Sequence, residues 1–176
     1  TVNSKFVVEY TAKLTENAVI GSAGNPNRVD LTFSNNPNGE GTGKTPEDKV
    51  IVFTYKIVAN KVGEDGSTPL EGAGFTLYKI VNGQEVKVGN EITGVTTFEF
   101  KGTDAGEYVL KETTVPAEYN KAEDLHFTVN ATYDTNSADP KLTDLSVTGN
   151  NTFNTSITGE NDGSATTTIV NKRGSV

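Results

Sequence analysis

From residue 49 to residue 172, apolar side chains return at every second position in short runs. Glycine, asparagine or proline separates each run from the next. Successive side chains of a strand point to opposite faces, so each run has one apolar face and one polar face. No stretch sustains a 3.6-residue period built from helix formers. LTENAVI and AEYNKAEDL come nearest, each sufficient for about one helical turn. The pair Asn82-Gly83 stands between two alternating runs, GFTLYKIV and EVKVGN, and predicts a tight hairpin. About seven or more short strands at roughly 8–12-residue spacing read as an all-β antiparallel sandwich.

Three of these runs carry one polar residue on the apolar face. In VIVFTYKIVANKV, parity groups Phe53, Tyr55, Ile57, Ala59 and Lys61 on one face and puts Thr54, Lys56 and Asn60 on the other. In EYVLKETTVPAEY, Tyr108, Leu110 and Glu112 share a face; in TTTIVNKRG, Ile169 and Asn171 do. Burying a lysine, an acid and a carboxamide without partners would cost several kcal/mol each, so the three are expected to meet. Two arrangements satisfy them. One is a buried Lys61–Glu112 salt bridge with Asn171 as a hydrogen-bonding neighbour. The other is chemistry: an amine nucleophile, an amide electrophile that releases ammonia, and an acid that shuttles protons. Burial disfavours charge on amine and acid alike, so Lys61 and Glu112 can sit as a neutral pair.

Composition narrows the function classes. The formal net charge is −8 with no basic stripe, which excludes a nucleic-acid partner. No segment approaches the roughly 18–20 apolar residues of a membrane span. Cysteine is absent, so disulfides cannot limit the unfolded state. His126 is the single histidine; it excludes a histidine-based triad or a multi-histidine metal site and is read as a strand-edge residue. The acidic turns GEDGS and GENDGS lack the spacing of a calcium loop and are read as turns. Neither a metal nor a cofactor is expected. The sequons NAT, NNT and NTS are matches that an Asn/Thr-rich chain produces by chance.

The run over residues 49–62 is longer than a typical strand and is expected to close one unit and open the next. Before it, KFVVEYTAKL (residues 5–14) alternates with Phe6, Val8, Tyr10, Ala12 and Leu14 on one face, and RVDLTFS reads as a second strand. Residues 1–48 are therefore read as the C-terminal part of a preceding domain, or as strands annexed to the sandwich of residues 49–176.

Three motifs in order resemble one family. PLEGAGFTLYK resembles the L-x-G-A-x-F-x-L-Y signature of Cna-B-type domains, found in Gram-positive pilus backbone proteins and related surface adhesins. YVLKETTVPAEY is similar to their E-box, Y-x-L-x-E-T-x-x-P-x-x-Y, and TIVNK to the closing strand that carries a bonded asparagine. The head segment and TPEDKVIVFTY also resemble streptococcal major pilins. The resemblance implies an immunoglobulin-like sandwich with an intramolecular isopeptide bond between Lys61 and Asn171, formed autocatalytically with Glu112 as catalyst. It implies a structural module of a cell-wall-anchored surface pilus, not an enzyme with an external substrate. Its partners would be other pilin subunits, joined by a sortase through a pilin-motif lysine and an LPxTG-like signal. Neither motif is found here, so the segment is expected to be cut from a longer protein. The alternative is an adhesin module on the same scaffold that binds a host protein or glycan through loops such as 82–94 or 134–156. A glycosidase would need paired acids across a cleft, and only Glu112 has an inward-facing argument.

Overall fold

Thirteen strands follow one another along residues 5–174, the span described by a computed structural model. Two small ladders come first. β1 (Asn25–Val29) pairs with β4 (Asp48–Val52), and β2 (Thr32–Ser34) pairs with β3 (Thr42–Lys44). Then come β5 (Tyr55–Val62), β6 (Gly74–Val81), β7 (Gln84–Thr93), β8 (Thr97–Thr103), β9 (Gly106–Thr114), β10 (Leu125–Asp134), β11 (Lys141–Gly149), β12 (Asn154–Ser156) and β13 (Ser164–Val170). These nine form two sheets, in the orders β11-β10-β9-β6-β7 and β12-β13-β5-β8. All their pairings are antiparallel except one: β13 runs parallel to β5, in register from Ser164↔Lys56 to Val170↔Val62.

Turn chemistry explains the hairpins. Asn82 and Gly83 take φ of 52° and 75° between β6 and β7. Two successive positive values are what a two-residue hairpin turn demands. Between the sheets the inward face of each strand fills one core. Phe75 meets Phe98 edge-on at 4.7 Å between centroids, and Phe127 packs on both Tyr108 and Phe153. Burying each such ring contributes roughly 1.5–3 kcal/mol. Tyr55, Ile57, Ala59, Tyr108, Leu110 and Ile169 are buried as their parity requires.

The run over 49–62 is broken. Phe53 and Thr54 separate β4, which belongs to the two-stranded ladder, from β5 in the sandwich. RVDLTFS is likewise divided between the end of β1 and β2. The strand expected over residues 5–14 is not formed. Phe6, Val8 and Tyr10 are 90%, 87% and 66% exposed, and the segment joins no ladder among the described residues. Alternation prepares a strand, but a strand needs a partner for its backbone groups. Nor does either one-turn helix appear. The described residues contain a single 3₁₀ turn, Gly159–Asn161.

That turn fastens the head segment to the sandwich. Asp162 accepts hydrogen bonds from the Ser22 amide (2.9 and 3.0 Å) and from the Ser22 hydroxyl (2.6 Å). The Gly21 amide donates to the Thr54 carbonyl and the Lys56 amide to that of Gly163. Gly163 has φ of +74°, and a Cβ there would lie 2.4 Å from the Gly21 backbone, so the close approach requires glycine. Lys49 forms an ion pair with Asp139, and Phe53 stacks on Tyr133. Replacing Asp162 with alanine is expected to speed amide exchange at Gly21 and Ser22 roughly 10- to 100-fold. Hydrogen-exchange mass spectrometry should find β5 and β9 unchanged.

Candidate functional site

Lys61, Glu112 and Asn171 are each 1% exposed. β5 lies in the middle of its sheet between β13 and β8, and presents Lys61 inward opposite Ile169. Because β13 is parallel to β5, its continuation carries Asn171 past the end of β5, where the Asn171 amide donates to the Val62 carbonyl at 3.2 Å. Glu112 comes from β9 in the opposite sheet, paired with Phe75 of β6. Amine and amide thus share one sheet, and the acid faces them from the other.

The contacts divide unevenly. Asn171 Nδ2 donates to Glu112 Oε1 at 2.8 Å, and the Ala122 amide donates to Glu112 Oε2 at 2.7 Å. Lys61 Nζ donates to the carbonyls of Ile169 (3.2 Å) and Val62 (3.3 Å). A Lys61–Glu112 salt bridge, one of the two arrangements expected from parity, is not among the ion pairs of the described residues, which lie elsewhere. Lys61 therefore sits in the interior without a carboxylate at ion-pair distance. Burial pushes its pKa down to about 8, against an opposing pull from the charge of Glu112. At pH 7 that leaves on the order of one amine in ten neutral, against roughly one in three thousand for an ordinary lysine. Asn171 Oδ1 is buried without a hydrogen-bond partner, an orphan acceptor that costs about 1–3 kcal/mol where it stands.

Two N–H groups of a neutral amine are matched by two carbonyls here, leaving the nitrogen lone pair unused. The Val62 carbonyl accepts from both Lys61 Nζ and the Asn171 backbone amide, so one backbone group touches both residues. These carbonyls and the Ala122 amide have no signature in sequence, since any residue supplies them; only pairing register locates them.

The SpaA family, a prealbumin-like fold domain, matches residues 55–142, half of the chain. The chain belongs to the SpaA prealbumin-like fold family. The matched span of this SpaA-family chain contains Lys61 and Glu112 and ends before Asn171. A curated relative, the trypsin-resistant surface T6 protein of Streptococcus pyogenes serotype M6, is 30% identical over 132 residues. The match covers 64% of this chain and 23% of the relative, so the SpaA-family chain spans about a quarter of that protein's length. Among solved structures, the T6 backbone pilin of serotype M6 Streptococcus pyogenes is similar at a TM-score of 0.60 and 21% identity. That likeness covers 92% of this chain and 46% of that one. BcpA, the major pilin subunit of Bacillus cereus, aligns at a TM-score of 0.47 and 17% identity, covering 89% and 40%.

The lysine's lowered pKa has a sign that stability measurements read directly. Its folded value of about 8 lies below the ordinary lysine value of 10.5, so over that interval the unfolded chain binds more protons. Its contribution is present at high pH and is lost as pH falls from about 10 toward 8. In a Glu112→Gln chain, denaturant titrations are expected to show stability rising with pH across that window. Adding Lys61→Met should abolish the slope.

Proposed function

We propose that the chain is a structural module of a sortase-assembled, cell-wall-anchored pilus backbone, stabilised by an autocatalytic isopeptide bond between Lys61 and Asn171 with Glu112 as catalyst. The observation that carries this reading is the burial of Lys61 beside Asn171 on parallel neighbours, with Glu112 hydrogen-bonded to the Asn171 carboxamide at 2.8 Å. The neutral amine attacks Cγ of Asn171 and a C–N bond forms. The Cγ–Nδ2 bond breaks, and the proton lost from Nζ reaches the departing nitrogen through Glu112, which already touches Nδ2. Ammonia leaves and charge is balanced. Two neighbouring strands hold the reactants together, which removes much of the entropic barrier. The event turns over once and consumes no external substrate.

Family membership supports the setting, and the known relatives are named as surface and backbone pilin proteins. In this reading residues 1–48 are the end of a preceding domain or strands annexed to the sandwich, β4 (Asp48–Val52) closes that head unit, and the Cna-B-type sandwich assigned to 49–176 begins its strands at Tyr55 of β5. The separate β1–β4 ladder and its exposed Val29, Val50 and Val52 fit a unit completed by chain outside this segment. Subunit joining would then use groups outside it as well.

Intact-mass spectrometry of the chain is expected to find one ammonia fewer than the sequence mass, and digestion to yield a branched Lys61–Asn171 peptide. Glu112→Ala should restore the full mass and lower the melting temperature by about 10–20 °C, the equivalent of a link closing a loop of this size. A full ammonia deficit in that variant would remove Glu112 from the mechanism.

Bond formation requires an uncharged amine, so its rate should climb with pH and level off above about 8, where Lys61 titrates. Timed acid quenching of freshly synthesised chain, read by mass, tests this; a rate independent of pH from 6 to 9 contradicts it.

A further inference from the structure

Between β9 and β10 the chain makes a loop whose contacts run in two directions. From one side, the Ala122 amide holds Glu112 Oε2 at 2.7 Å. From the other, residues 118–120 grip the segment that follows Asn171. The Asn120 amide donates to the Lys172 carbonyl at 2.9 Å, Asn120 Nδ2 donates to the Arg173 carbonyl at 3.2 Å, and the Gly174 amide donates to the Glu118 carbonyl at 2.8 Å. Tyr119 and Arg173 complete an antiparallel bridge, with the guanidinium 5.7 Å from the ring centroid. Glu118 takes φ of +68°, a left-handed conformation that a non-glycine residue enters only at a cost. The loop is bent to make this clasp.

Ala122 and Asn120 are two positions apart, and the groups they hold are the acid and the backbone next to the amide. The span between Glu112 and Asn171 is therefore governed by one short piece of chain. Asn171 itself has a single backbone anchor on the β5 side, its amide to Val62. The clasp supplies the other. We propose that Asn120 is a positioning residue for the Lys61–Asn171 crosslink, holding the Asn171 carboxamide against Glu112 through the Lys172–Gly174 segment. The inference rests on the crosslink reading above. Asn120 is exposed, and its hydrogen bonds go to backbone carbonyls, not to the reacting groups. It acts by confining geometry, where a shift of about 1 Å is worth up to a hundredfold in rate.

The test follows ammonia loss by intact mass after cell-free synthesis of the full 176-residue chain carrying Asn120, Asn120→Ala or Asn120→Gln. Asn120→Ala is expected to slow the reaction about tenfold or more, and Asn120→Gln, which keeps an amide donor, to recover most of the rate. In parallel, Asn120→Ala is placed in a Glu112→Ala chain, where no bond forms. Its melting temperature should move by no more than about 2 °C, as for an ordinary surface change. A normal ammonia deficit with an unaltered rate in Asn120→Ala overturns the clasp while leaving the crosslink standing. A fall of more than about 5 °C in the Glu112→Ala background makes the contact merely structural and also overturns it. Full sequence mass in the unaltered chain removes the crosslink, and the positioning role with it.

Discussion

The site depends on two strands, distant in sequence, lying side by side and pointing the same way. Had β13 run antiparallel to β5, its end would have met Tyr55, and Asn171 would lie at the far pole from Lys61. The parallel ladder from Ser164↔Lys56 to Val170↔Val62 brings both C-terminal ends to one place. Closing so long an excursion costs entropy that grows only slowly with length. The intervening strands offset it by burying the apolar face of the β5 sheet against that of β9. The juxtaposition is thus a by-product of topology: an amine and an amide become neighbours because the sandwich closes on itself.

Splitting the three polar residues between two sheets has an electrostatic result. Glu112 reaches the carboxamide from across the core, while the amine is satisfied by carbonyls of its own sheet. The acid and the amine are near enough for the charge of Glu112 to oppose the fall in the lysine's pKa, yet desolvation wins. A direct ion pair would have held the amine protonated and inert. Its replacement by two backbone acceptors anchors the nitrogen and leaves burial to lower its pKa.

Much of this was legible from period-two alternation. Parity put Lys61, Glu112 and Asn171 inward because a slip of one residue would have exposed Tyr55, Ile57 and Leu110 at the same time. Asn82-Gly83 announced its hairpin through backbone conformation alone. What alternation could not reveal was pairing. Residues 5–14 have the pattern of a strand and no ladder to join, and the break at Phe53-Thr54 follows from contacts with Ile20 and Gly21, remote in the chain. The direction of β13 relative to β5 was equally invisible, because both directions place Ile169 inward. The backbone groups around the site, from Val62, Ile169 and Ala122, leave no trace in residue identity.

The grip of Asp162 on Ser22 lies just before β13 begins, at the pole where β5 also starts. At the other pole the Asn171 amide is bonded to Val62. The two parallel strands are thereby pinned at both extremities, like a zip secured top and bottom. A frame-shifted alignment of β13 along β5 would have to rupture both fastenings at once. The molecule therefore carries its own safeguard against docking its last strand out of step.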